Sequence, residues 1–256
     1  AYFGKDVFGI NNSFINKYGN AVTNLRWNHL FSDKLFSNLS LIYSDYFYGL
    51  ILDFVGFEWD SGITNINFKY DFKHYISDSF KLFYGANAIY YDFNPGKIEP
   101  STETSGINPY KLIDKYAFEN AIYIDVNQQL TELLALSYGV RLSSFLRLGQ
   151  DKLNVYENDK AVGFNTDLQL YEKIDPIGSE SGYQGKVEKS FVNLEPRLAL
   201  SYQLNDDTSL KASYNRMTQY LHLLSNTSSP APLDVWTPSG KFIQPQILDQ
   251  IAIGYF

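Results

Sequence analysis

The chain has 256 residues, enough for one sizeable domain, and its formal net charge of −7 argues against a nucleic-acid partner, which calls for a basic stripe. It holds no cysteine, so neither a disulfide framework nor a thiolate metal site is available. Mean hydropathy is −0.25, and no run of about 18 apolar residues occurs, which excludes a helical membrane protein. A membrane β-barrel survives that test, because its strands average a polar and an apolar face.

Tyr and Phe number 21 and 19, and aromatic residues favour strands and membrane–water interfaces. In chain order, Ala1–Ile10 is a short alternating run ending at Asn11-Asn12. Residues 13–19 read as a connection and Ala21–Phe31 as the second strand, with a tight turn at 32–34. Leu35–Leu52 follows, and residues 53–60 lead over to Ser61–Ile76. There Ile66, Phe68, Tyr70 and Phe72 oppose Asn65, Asn67, Lys69, Asp71 and Lys73, a regular two-faced strand. A turn at 77–79 leads into Phe80–Phe93, then a long connection, Asn94–Asp114. Lys115–Leu130 turns at 131–132 into Leu133–Leu148, before the longest connection, Gly149–Ser190. Phe191–His222 is a hairpin about a polar turn at 205–207. Its Leu198, Leu200, Tyr202, Leu210, Ala212 and Tyr214 fall on one side, with Arg197, Lys211 and Asn215 on the other. The connection Leu223–Pro245 holds four of the nine prolines, and Gln246–Phe256 begins a tenth strand.

Tight turns at 32–34, 77–79, 131–132 and 205–207 alternate with longer connections at 13–19, 53–60, 94–114, 149–190 and 223–245. Short turns at one end and long loops at the other are the pattern of an outer-membrane barrel, with periplasmic turns and extracellular loops. The strand runs exceed the roughly 5–6 residues usual in globular sheets and suit a tilted bilayer crossing of about 9–11. The expected fold is all-β, an antiparallel up-and-down transmembrane β-barrel segment of ten strands. A soluble sandwich or propeller is the alternative, but its strands are shorter and its turns do not segregate by length. Lipid is expected to meet Leu134, Leu136, Tyr138, Leu198, Leu200, Tyr202, Leu210, Ala212 and Tyr214.

The entry Asn193-Leu194-Glu195-Pro196-Arg197, the run Lys211-Ala212-Ser213-Tyr214-Asn215-Arg216, and Gln219-Tyr220-Leu221-His222-Leu223 carry a family resemblance. Pro232-Leu233-Asp234-Val235-Trp236 and Lys241–Gln250 continue it, and Trp27–Tyr46 and Phe80–Pro95 are similar too. Together they resemble the middle of TonB-dependent outer-membrane receptors of Bacteroidota. The resemblance implies a barrel of 22 strands occluded by an N-terminal plug and energised through TonB. Ten strands in 256 residues is about 26 per strand, so about 560 would be needed for such a barrel. Both ends fall inside strand patterns, so residues 1–256 are expected to be a partial barrel domain, with plug and N-terminal parts outside it. The implied role is import of a bulky, scarce nutrient (siderophore, vitamin, peptide or glycan) across the cell outer membrane. Outer-membrane lipid and the TonB complex, reached through the plug, are the implied partners, with a surface lipoprotein as a further candidate. A non-transporting barrel serving assembly, secretion or adhesion is the alternative function.

Ligand contacts are expected from lumen-facing residues near the outer end and from the loops. Arg216, Tyr220 and His222 lie at the outer end of their strand, and Asp234 and Trp236 in the Pro-stiffened loop beside it. Trp packs flat against rings, and Arg pairs with carboxylate or phosphate. No cofactor, metal or catalytic group is expected. His29, His74 and His222 are scattered, and Asp33, Asp78 and Asp206-Asp207 have the placing of turn residues. A complete ten-stranded barrel protease would need a carboxylate–His pair at the rim, for which His222 and Asp234 are the candidates. The terminal Phe256 imitates the last aromatic of an outer-membrane barrel, which the resemblance makes accidental.

Overall fold

The computed structural model describes residues 1–256 except 11–13, 150–151, 184 and 225–234. Ten long strands form one antiparallel sheet in which sequence neighbours are always spatial neighbours. They are β1 (Tyr2–Ile10), β2 (Phe14–Ser32), β3 (Leu35–Leu52), β4 (Phe57–Ser77) and β5 (Phe80–Pro100). Then come β6 (Lys115–Gln129), β7 (Leu134–Leu148), β8 (Val187–Asn205), β9 (Thr208–Gln219) and β10 (Gln246–Tyr255). This is the meander expected from the alternation, and the tight turns after β2, β4, β6 and β8 stand where the polar clusters put them.

The opposite end differs. Strand β2 begins at Phe14, so most of the expected 13–19 connection is paired strand, and Asn11-Asn12 lies outside the described residues. The 53–60 connection shrinks to a short 3₁₀ turn, Asp53–Val55, with Gly56 before β4. Strand β5 runs on to Pro100, and Tyr110–Lys111 adds a further short pairing to it. The reason is physical. Alternation marks a strand only where its faces meet different media, whereas backbone pairing continues past that zone, as Phe14–Asn20 does against Tyr46–Leu52. The β7–β8 connection carries two small ribbons, Lys152–Val155 with Gly178–Ser181 and Val162–Asn165 with Leu170–Lys173.

Register then fixes the faces. Leu134, Tyr202 and Leu210 are cross-strand partners, as are Leu136, Leu200 and Ala212, and Tyr138, Leu198 and Tyr214. These nine side chains, exposed or half-buried, share one face with the exposed Ile66, Phe68, Ile122 and Ile124. Toward the tight turns the same face carries an aromatic patch. His29 lies between Trp27 and Phe31 at 5.2 and 4.4 Å, and Phe72 stacks on Tyr84 at 5.0 Å. Such rings suit a boundary where one end of the side chain is wet.

The other face is polar, and there glycines let side chains cross a strand. Asp71 of β4, Gly85 of β5 and Tyr123 of β6 lie in one row. The Tyr123 hydroxyl passes over Gly85 and donates to Asp71 at 2.6 Å. One row on, Asp125 of β6 reaches across Gly139 of β7 to Arg197 of β8, with Nε 3.1 Å from Oδ1. A Cβ at Gly139 would stand 1.9 Å from Asp125 Oδ1. Gly139→Val is therefore expected to destabilise the barrel by about 1–3 kcal/mol in urea unfolding of the refolded protein, and by less in an Asp125→Ala background. Equal losses in both backgrounds would mean that the crossing contributes nothing.

Candidate functional site

Toward the loop end of the polar face, charged side chains from three strands converge. Arg141 of β7 has Glu119 of β6 at 3.7 Å and Glu195 of β8 at 3.8 Å. The Tyr91 hydroxyl donates to Glu119 at 3.3 Å. Ser143, fully buried, donates to Glu195 in a short contact. Because that proton is committed, the Tyr220 hydroxyl, 2.7 Å away, donates to Ser143 Oγ and itself accepts from Asn193 Nδ2 at 2.8 Å. The result is a directed chain, Asn193 to Tyr220 to Ser143 to Glu195, ending on a carboxylate. Neighbouring dipoles in such a chain reinforce one another.

Above this lies an aromatic layer. Tyr91, Phe93, Ala117, Phe145 and Tyr220 form a buried cluster on what is otherwise the polar face. Phe145 and Tyr220 stack at 4.8 Å with planes 6° apart, an arrangement worth about 0.5–1.5 kcal/mol beyond the area buried. Tyr220 reaches the cluster because β9 stops at Gln219, where alternation would have sent it to the opposite face. The expected single strand to His222 is thus broken. Leu221–Leu224 instead pairs with Val235–Pro238 as a separate hairpin. That hairpin folds back over the polar face and contacts β4, β5 and β6. It is anchored by Ser239 N–H donating to Tyr220 O at 2.7 Å and by Lys115 Nζ donating to Thr237 Oγ1 at 2.7 Å. Thr237 and Ser239 are almost wholly buried. The connection read as a surface loop is a strap across the polar face.

The expected ligand residues separate accordingly. Tyr220 is 3% exposed, so its ring and hydroxyl are spent on the strap and the network. His222 is buried, with Nε2 2.8 Å from Ser239 Oγ. Trp236 is half-buried in the hairpin, opposite Leu223. Asp234, and with it any His222–Asp234 pair, lies outside the described residues. Arg216 shares a face with Tyr214, not with Lys211 and Asn215. Its guanidinium forms a bidentate pair with Asp249 at 2.7 and 2.8 Å, and Tyr214 donates to the same carboxylate at 2.7 Å. Two-residue alternation from Tyr214 predicts that side. Sequence reasoning missed Glu119, Arg141, Ser143 and Asn193 as a group; their polar alternation was visible, but their neighbours across strands were not. Among the described residues no three His, Asp or Glu side chains gather to hold a metal ion.

Burial holds the His222 imidazole below its ordinary 6.5. The unfolded segment then takes up a proton before the folded one does. The strap is fully stable above pH 6.5 and loses stability as pH falls below it. Amide exchange in 221–224 and 235–238, corrected for intrinsic rates, is expected to quicken on acidification, and His222→Gln should flatten that response.

With this geometry in view, the sheet compares with three solved structures. The copper transporter OprC matches with a TM-score of 0.59 at 11% identity, over 95% of this chain and 37% of its own. The ferric-catecholate import receptor Fiu from E. coli K12 gives 0.55 at 13%, over 95% and 39%. BauA, the ferric preacinetobactin receptor of Acinetobacter baumannii, gives 0.54 at 15%, over 94% and 35%. The chain thus spans well under half the length of each, and at these identities they establish the fold. No curated protein matches the chain. The family described as "TonB dependent receptor-like, beta-barrel" matches residues 2–255, and the chain belongs to that family, as part of an outer-membrane β-barrel.

Proposed function

We propose that these residues are the central barrel part of an outer-membrane receptor of the Bacteroidota type that imports a bulky, scarce nutrient. Siderophore, vitamin, peptide and glycan are all compatible with the reading. The observation that carries it is the family match over residues 2–255. It is supported by a sheet with an apolar face and an opposite face lined by the Glu119–Arg141–Glu195 cluster. Energy would come from the TonB complex through a plug outside these residues, and a surface lipoprotein is a further candidate partner. No catalytic step is assigned to the chain. The experiment is uptake of a radiolabelled nutrient by cells carrying the full receptor. Loss of uptake when the inner-membrane coupling is deleted is the expected result. Undiminished uptake sinks import and favours a role in assembly, secretion or adhesion.

The same reading assigns lipid to the face of Leu134, Leu136, Tyr138, Leu198, Leu200, Tyr202, Leu210, Ala212 and Tyr214. Leu200→Lys and Leu136→Lys are each expected to cost about 2–4 kcal/mol near the midplane, with little cost for Lys at Ser201 or Ser137. Unfolding titrations in lipid vesicles measure this, and the reverse pattern would turn the barrel inside out.

A further inference from the structure

Lys115 opens β6 at the loop end of the polar face, half-buried beneath the strap. It gives one hydrogen bond to Thr237 Oγ1 at 2.7 Å, and among the described residues it forms no ion pair. The charge acting on it is another cation, Arg147, which is 6% exposed and donates to the carbonyls of Tyr116 and Leu148. Holding an ammonium out of water beside a like charge is costly unless an anion stands near.

Both cations line a cleft of about 460 Å³ between the strap and the β7–β8 connection. The other charges there largely cancel. Lys241 is paired with Asp159, and Glu188 acts on Arg147. Lys186 and Glu180 bring one charge of each sign. What stays uncompensated is Lys115. The lining also holds apolar side chains, Val155 and Ile243, and Tyr156 and Phe242 in edge-to-face contact at 5.7 Å, with Lys241 over the Phe242 ring. The cleft therefore combines an uncompensated cation with an aromatic pair.

We infer that it binds a soluble ligand bearing a carboxylate on a flat or apolar body, the carboxylate taking Lys115 as its counter-charge. The ring would lie against Phe242 and Tyr156, and an uncharged isostere would forfeit the charge-assisted bond. That this ligand is cargo rests on the import reading above; that it binds does not.

The test is ¹⁹F NMR titration of the full receptor in detergent with 4-fluorobenzoate and with neutral 4-fluorobenzamide. Benzoate is expected to bind about tenfold more tightly than the amide, with inorganic phosphate displacing it. Lys115→Gln should abolish the preference and Lys115→Arg should keep it. Equal affinity of the two probes for the wild-type protein overturns the inference, whether or not the Gln variant folds, and so does an unchanged preference in a folded Gln variant. The two proposals fail separately. Energised uptake with no carboxylate preference sinks this site alone, and binding without energised uptake sinks import alone.

Discussion

In hydrocarbon no water is present to satisfy a free amide, so a chain that crosses as strands must pair every backbone donor and acceptor with a neighbour. Everything else in this sheet follows from that requirement. Strands β2 to β9 each have an antiparallel partner on both sides, with only isolated shifts of register. Once register is held that tightly, each side chain is committed to a face, since a slip of one residue would exchange the whole set. The apolar rows through Leu136, Leu200 and Ala212, and the polar rows one residue away, are thus consequences of backbone pairing as much as of composition.

Pairing between neighbours does not by itself bind distant strands, and here the polar face adds a second mechanism. Tyr123 over Gly85 and Asp125 over Gly139 link strands two apart, and Arg141 ties Glu119 to Glu195 across β7. Each crossing needs a small residue beneath it or a long side chain in the middle. Half-buried ion pairs add little net stability, because desolvation offsets attraction. Their effect is on shape, since bridges that span three strands hold neighbouring strands at a set angle on the inner side.

The fold was legible in the sequence to the extent that its faces meet unlike media. The two-residue alternation of Ile66–Phe72 and the polar turns at 77–79 and 205–207 place strands and turns within a residue or two. It stopped being legible where both faces meet water or protein. That is why Phe14–Gly19 and Asn94–Pro100, strand in fact, read as connections. The strap was hidden for a different reason. Its prolines look like loop stiffening, and nothing local tells that Thr237 lies buried in a hairpin packed on β4 to β6, or Ser239 against Tyr220 and His222. Arg216 is a different case: two-residue alternation puts it on the side of Tyr214, and Tyr220 would have followed. The break after Gln219 separates them.

Along the inner face the groups fall into an order. Nearest the tight turns stands Asp125 with Arg197; the next row holds Asp71, Tyr123, Arg141 and Glu195, with Glu119 beyond it, then the aromatic layer, and at the loop end Lys115 and Arg147. The aromatic layer is the hinge of this arrangement. It keeps water from the Ser143–Glu195 contact below, and it is completed only when Tyr220 and the strap close over Phe93 and Phe145. The strap is held at both ends of its hairpin, through Tyr220 to the carboxylate network and through Thr237 to Lys115. Lifting Val235–Pro238 would take Thr237 from Lys115 and at the same time uncover the aromatic layer. Loop-end charge and the aromatic layer are therefore joined through one hairpin.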